Sequence, residues 1–578
     1  MERKGKAIVG GISIILVIGA VVGCVVVVST RNKGKDKLSS SSKAVIAMCE
    51  PTDYKEACVD SLAGAAKNQS ASPKDLIRSA VEYTVQQVKA AIEKSGIIIK
   101  EAKDVNSTGK MAFDDCNELL ESAIESLQYS LLTLVDADMP KINEKEADLK
   151  NWFSAAMSFQ ESCIDGIPYE DLKNQMSEAM QNAEKLTSNA LAIVSSLSKI
   201  LGNFNIPLKP NNNTLTARRL LDVEMETDEH GTFPTWFSAA DRKLIAKQNK
   251  QNNKNAGNGP AVKPNAVVAK DGSGQYKTIG AALAAYPKGF QGRYVIYVKA
   301  GIYNEYVTVA KNQNNVYMYG DGPRETMVTG RKSFADGITT QDTATFIVVG
   351  HGFIARGMGF HNTAGPEKHQ AVALRVQSDM SAFFNCRMDG YQDTLYVQAY
   401  RQFYRNCVIS GTVDFIFGDS TTVIQNSLII VRKPLANQKN TVTANGRKDQ
   451  RESTGLVIQN CRIVPEEALF PLRFQIMSYL GRPWKTYSRT VIMESEFGDF
   501  IQPAGWLEWQ GDFALDTLYY AEYANRGPGA VTTGRVKWKG FHVITDRNVA
   551  LQFTPGNFLA GGLWLKGTGA PYFLGLKN

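Results

Sequence analysis

The sequence is poor in the residues that most often carry metal or nucleophile chemistry. Its 578 residues include only five histidines and eight cysteines. His230, His351, His361, His369 and His542 show no ligand spacing, and the cysteines after residue 222 stand singly, so no metal site is expected. There is no Gly-x-Ser-x-Gly elbow and no phosphate-cradling Gly-rich loop, which argues against a Ser/His/Asp hydrolase or a nucleotide enzyme. No cofactor is expected. Zinc-finger spacing and RNA-binding aromatic words are also missing, so nucleic acid is not expected as a partner despite the net charge of +8. With 43% hydrophobic and 21% charged residues, disorder is excluded as the overall state.

What is present is divided unevenly along the chain. Residues 1–221 carry 26 Lys/Arg against 27 Asp/Glu, and the remainder 39 against 30, so the basic surplus lies wholly in the second part. A basic surface attracts a polyanion, and an acidic polysaccharide fits on charge. Ala7–Thr30 holds no charge for 24 residues, between Arg3, Lys4 and Lys6 on one side and Arg31, Lys33, Lys35 and Lys37 on the other. It reads as a signal anchor or a signal peptide; its length favours the anchor. Either way the chain is expected to enter the secretory route, and sequons at Asn68, Asn106 and Asn212 agree with that.

Four segments are expected: a signal segment with its basic flank over 1–43, a helical domain over 44–204, a linker over 205–263 and a β domain over 264–578. Helical spacing marks the second. Val81, Val85, Val88 and Ile92 keep one stripe, Leu120, Ile124, Leu127 and Leu131 another, and Met176, Met180 and Ala183 begin a third. Long helices with short connections predict an antiparallel bundle. In an oxidising compartment its cysteines are expected to pair as Cys49–Cys58 and Cys116–Cys163. The linker carries Arg218-Arg219-Leu220-Leu221, a dibasic step in a polar stretch and thus a candidate protease site.

The β domain is organised around Gly390–Gly418. Asp393 follows Cys386 by seven residues, and Asp414 follows Cys407 by seven, a period of 21. Asn385-Cys386, Asn406-Cys407, Asn426-Ser427 and Asn460-Cys461 continue the repeat with steps of 21, 20 and 34. Short Val/Ile/Tyr-rich words at this period predict an all-β right-handed parallel β-helix, one coil per repeat. Asp393 and Asp414 would then occupy the same phase of adjacent coils, ~4.8 Å apart. Two carboxylates so close drive their pKa values apart, as a nucleophile beside a proton shuttle requires. Gln370 and Gln392 offer amides for a developing oxyanion. Arg482 can pin a carboxylate bidentately, and Trp484 offers a flat face for a sugar ring.

The words Gly301-Ile302-Tyr303-Asn304-Glu305, QAVALR, GYQDTLY, DFIFG and LGRPW, in that order, resemble the signature of plant pectin methylesterases over roughly residues 265–578. The helical segment, with its cysteines and Asn151-Trp152-Phe153-Ser154-Ala155-Ala156, resembles the inhibitor domain that precedes such enzymes. The resemblance implies hydrolysis of galacturonate methyl esters in cell-wall pectin by a secreted glycoprotein. Asp414 is implied as nucleophile, Asp393 as acid and then base, Gln370 and Gln392 as oxyanion donors, and Arg482 as the group that holds Asp414. Thr340, Gln370, Arg482 and Trp484 are implied as substrate contacts. Arg218–Leu221 is implied as a subtilase processing site, and the helical domain as autoinhibitory. Inhibitor proteins are the further partners implied; the enzyme is expected as a monomer, touching membrane only through its N-terminal segment. Members of this family carry cysteines at the places of both Cys407 and Ser427; here Cys407 lacks that partner, and Cys386, Cys407 and Cys461 are expected as thiols. Two other readings compete: a β-helix polygalacturonase or pectate lyase, and an inert inhibitor-type binding protein.

Overall fold

The computed structural model describes residues 40–203, apart from 69, 70, 103, 104 and 138, and residues 264–577. The uncharged run Ala7–Thr30, the sequon at Asn212 and Arg218–Leu221 lie outside the described residues. Among the described residues no helix is long and apolar enough to cross a membrane.

The first unit is helical: α1 (Ser40–Cys49), α2 (Lys55–Ala66), α3 (Pro73–Glu101), α4 (Ser107–Asp136), α5 (Glu146–Gly166) and α6 (Glu170–Ser195), with a short α7 (Leu197–Asn203). The start of α3 is specified locally. Ser72 and Asp75 cap each other's backbone, and Pro73 sits where no N–H is needed. Asn106 caps α4 by accepting from the Gly109 N–H. The helical stripes point inward: Val81, Val88, Leu120, Leu127, Met176 and Met180 are buried in one core. Disulfides join Cys49 to Cys58 and Cys116 to Cys163, the second tying α4 to α5.

The second unit is a coil of parallel strands in three sheets of eleven, seven and eight strands. Its step is the sequence repeat. Leu374 pairs with Leu395, and Leu395 with Ile416, each 21 residues on. Asn385, Asn406, Asn426 and Asn460 all turn with positive φ, between 51 and 53°. Asparagine tolerates this left-handed turn better than other non-glycine residues, so the asparagine repeat marks the same corner of four coils; Gly357, Glu494 and Ala524 turn with positive φ after three more strands of the same eleven-stranded sheet. The interior is apolar, with aromatic rings stacked from coil to coil, as Phe383 on Tyr404 at 4.8 Å and 6°. The helical unit lies against the outer face of the seven-stranded sheet: α5 reaches the strand Leu395–Ala399 through Ser158, whose hydroxyl donates to the Gln398 carbonyl at 2.9 Å.

Candidate active site

The two aspartates precede neighbouring strands of that seven-stranded sheet. Leu395 pairs with Ile416, so Asp393 and Asp414, each two residues earlier, lie in register one coil apart, and the Asp393 N–H donates to the Val413 carbonyl at 3.1 Å. Both backbones are left-handed, with φ of 62° and 48°. Aspartate pays a modest strain there, and both residues line one cavity on the outside of the coil. Both remain shielded: Asp393 is 8% exposed and Asp414 5%.

Their surroundings differ in one decisive respect. Arg482 grips Asp414 through Nε at 2.9 and 3.2 Å and Nη2 at 2.6 Å. Thr441 adds a second hold, its hydroxyl donating to Asp414 Oδ1 at 2.7 Å and accepting from the Asp414 N–H at 2.9 Å. Among the described residues the Asp393 carboxyl has no such partner. Burial first, and then the facing Asp414 carboxylate, push its pKa well above the usual carboxylate range, with Arg482 pulling weakly the other way. Burial would weaken the Arg482 charge, but its bond to Asp414 outweighs this and leaves the guanidinium more firmly protonated than usual. The pair is therefore asymmetric: an arginine-held carboxylate beside a carboxyl that keeps its proton.

Gln370 and Gln392 form a parallel bridge on the adjoining coils and line the same cavity. Their side-chain amides make no hydrogen bond to any described residue, so the donors stay available. Thr340 opens a short turn, Thr340–Thr343, on the cavity wall. Trp484 closes the other side. Its indole lies over Gly446, where an added Cβ would come within 2.9 Å of the ring. Between them Tyr396 stacks on Phe417 at 4.3 Å and 12°, an aromatic floor suited to sugar faces.

Thr441, Trp509 and the floor tyrosine were not singled out from sequence. Trp509 stacks on the Arg482 guanidinium at 4.4 Å. Thr441 stands 27 residues after Asp414 because a loop lengthens that coil, so counting by 21 passes over it.

The cavity, about 470 Å³, has walls from both units. Thr108, Asp115, Ser162, Asp165 and Pro168 of the helical unit face Gln370, Gln392, Asp393, Asp414 and Trp484 across it. Polar contacts at the cavity and away from it hold the units together. Thr339 donates to Asp115 at 2.6 Å, Arg401 pairs with Asp148 at 2.8 Å, and Arg451 holds Asp53 through two bonds of 2.6 and 2.8 Å. Of the sequons, Asn68 and Asn106 are exposed.

Comparisons with known proteins follow the same division. Residues 265–562 match the family described as Pectinesterase, and residues 43–193 match Plant invertase/pectin methylesterase inhibitor. The chain is 44% identical over 582 residues to a putative pectinesterase/pectinesterase inhibitor 28 of Arabidopsis thaliana, covering all of this chain and 75% of that one. It is 43% identical to pectinesterase 1 of Citrus sinensis, covering 96% and 92%. Among solved structures, pectin methylesterase from carrot aligns with a TM-score of 0.55 and 55% identity; it covers 55% of this chain and the whole of the carrot chain.

Proposed function

Because this chain belongs to the pectinesterase family, with a pectin methylesterase inhibitor domain ahead of its enzyme domain, we propose that it hydrolyses galacturonate methyl esters in pectin through a covalent intermediate on Asp414. The asymmetry of the aspartate pair carries this reading. Asp414, fixed in place by Arg482, attacks the ester carbonyl through a carboxylate oxygen. The carbonyl oxygen becomes negative and is met by the free amides of Gln370 and Gln392. Collapse breaks the bond to the methoxy oxygen, which takes the proton held by Asp393 and leaves as methanol. Asp393, now ionised, takes a proton from water. The hydroxide attacks the acyl–Asp414 anhydride, which returns Asp414 as a carboxylate and the sugar as a free acid. Thr340 and Trp484 hold the rings on either side of the Tyr396–Phe417 floor.

The domains are proposed as 44–204 and 264–578, joined by a linker that is cut after Leu221. The helical unit walls the cavity, and a polymer cannot lie along it while that unit is in place; we read it as an autoinhibitory cap on a secreted precursor. The decisive experiment incubates the 222–578 unit and the full chain with methyl-esterified pectin. Methanol release by the unit without shortening of the polymer, and at least tenfold less from the uncut chain, is the expected result. Polymer cleavage would point instead to a polygalacturonase or lyase; equal rates from both forms would remove the cap.

A further inference from the structure

Beyond the cavity on the Trp484 side lie two lysines that the reaction above does not use. Lys485 Nζ lies 2.6 Å from Glu161 and 2.7 Å from Asp165. Lys448 Nζ pairs with the same Glu161 and, at 3.1 Å, with Glu184. All three carboxylates come from the helical unit, on α5 and α6. Neither lysine has an ion-pair partner within the β-helix among the described residues, whereas the neighbouring Arg451 has Asp449 of its own unit at 3.7 Å as well as Asp53. The β-helix thus presents two ammonium groups matched only by the carboxylates seated on it.

Lys485 adjoins the catalytic cavity, and Lys448 is linked to it through the shared partner Glu161. The small hollow lined by Lys485 and Glu161 shares Ser162, Asp165, Tyr396 and Trp484 with the cavity that holds the aspartate pair. The Lys485 ammonium lies 5.6 Å from the Trp484 ring centre, beside the face offered to a sugar. Lys485 is shielded, with 17% of its side chain exposed, and Lys448 is more open at 38%. Burial alone would weaken both charges, but the facing carboxylates outweigh it and hold each lysine more firmly protonated. Burial likewise lifts Glu161, yet the two lysines pull it below the usual range.

We propose that Lys448 and Lys485 form a subsite for the free carboxylate of an already de-esterified galacturonate unit, next to the unit being hydrolysed, and that Glu161, Asp165 and Glu184 of the helical unit occupy this subsite as stand-ins for such carboxylates. This rests on the pectin methylesterase reading and adds to it that the substrate is a mixed chain, ester at the aspartate pair and acid at the lysines. The reaction itself supplies such chains, since each turnover replaces a neutral ester by a carboxylate. Neutral ester units gain nothing from an ammonium pair, so the lysines discriminate by charge.

The test measures equilibrium binding of two probes, fully de-esterified and fully methylated oligogalacturonates, to the β-helix unit carrying Asp414→Asn to stop turnover. This unit has a core of its own, and the carrot enzyme matches it over its whole solved chain without a helical unit. Lys448→Gln with Lys485→Gln should weaken the acidic probe roughly tenfold, the worth of one or two screened ion pairs, and the methylated probe less than half as much on a logarithmic scale. Lys448→Arg with Lys485→Arg, which keeps both charges, should restore most of the loss and guards against misfolding. Equal losses for both probes, or none for the acidic one, would overturn the proposal. Methanol release by the unmutated unit is scored separately. If it fails while charge-selective binding holds, the esterase reading falls and the subsite stands.

Discussion

The helical unit and the β-helix solve the same problem, burying polar groups beside an apolar core, by opposite means. The helical unit draws its order from local spacing and fixes it with two disulfides. The β-helix keeps its thiols, Cys386, Cys407 and Cys461, unbridged among the described residues and holds its coils by repetition. Four coils there repeat a left-handed asparagine corner, and successive coils repeat an in-register hydrogen-bond step. The two units also hold carboxylates differently. Asp414 is satisfied wholly within the β-helix by Arg482 and Thr441. Asp115, on α4, takes its hydrogen bond from Thr339 of the other unit and faces Asp342 there. The first arrangement exists whether or not the units touch; the second exists only while they do. The aspartate pair and the contacts between the units thereby rest on separate groups, and each can be altered without the other.

The largest expected effect falls on the self-contained pair. Asp414→Ala removes the proposed nucleophile and leaves the Arg482 charge without its partner; methanol release by the β-helix unit should fall below detection. Asp393→Ala should cost about 10²–10⁴ in rate, the usual worth of a general acid–base group. A rate for Asp414→Ala within tenfold of the parent would dismiss it as nucleophile. On the other side of the comparison, Cys116→Ser with Cys163→Ser should destabilise the helical unit by about 4 kcal/mol, since the bridge closes a loop with a separation of 47 residues. Calorimetry of the full chain should show the helical transition lowered and the β-helix transition unmoved. If both moved together, the two units would unfold as one.

Asp115 gives the comparison a pH axis. Burial, and then the nearby Asp342, raise its pKa from 3.8 to about 6 in the closed chain, against hydrogen bonds from Thr339 and Gln341 and the charge of Arg375. A raised carboxyl favours the closed form when it carries its proton. Its contribution is full below about pH 3.8 and is lost as pH rises through about 6, a span worth on the order of 2–3 kcal/mol. Asp165 and Glu184 are also raised by burial and act in the same sense, while Glu161, held down by its lysines, acts against them. The uncut chain should therefore release methanol more readily, relative to the free unit, at pH 7 than at pH 4.5. Asp115→Asn should flatten that ratio; an unchanged ratio would locate the pH dependence elsewhere.

Much of this was legible in the sequence, and the boundary of legibility is physical. The 21-residue step, the aspartate pair and the helical stripes are periodic, and a period survives without knowledge of the whole. Arg482 was legible by its word and not by its place, because loops between the strands put it 68 residues beyond Asp414. Asp115, Thr339, Lys448 and Lys485 carried no signal. Their meaning lies in contacts between segments hundreds of residues apart, and each alone is an ordinary polar residue on a surface.

The smallest effects test whether repetition, and not crosslinking, holds the coils. The residue after each asparagine corner is Cys386, Cys407, Ser427 or Cys461, and Ser495 follows Glu494 at the same corner one coil further on. The Cys407 N–H donates to the Ser427 hydroxyl at 3.0 Å, the Ser427 N–H to Cys461 Sγ at 3.3 Å, and the Cys461 N–H to the Ser495 hydroxyl at 3.0 Å. Each of these thiols or hydroxyls in turn donates to the carbonyl two residues before it, Arg405 for Cys407, Gln425 for Ser427, Gln459 for Cys461 and Met493 for Ser495. Sulfur and oxygen thus serve the same rung. Ser427→Ala should cost about 1–3 kcal/mol, because it leaves the buried Cys407 N–H without an acceptor. Cys407→Ser keeps a donor and an acceptor in place and should change stability by less than about 1 kcal/mol, since the thiol adds only modest burial over a hydroxyl. Denaturant melts of the β-helix unit decide between the accounts. If Cys407→Ser proved the more damaging of the two, sulfur packing would govern this corner and the hydrogen-bonded ladder would be incidental.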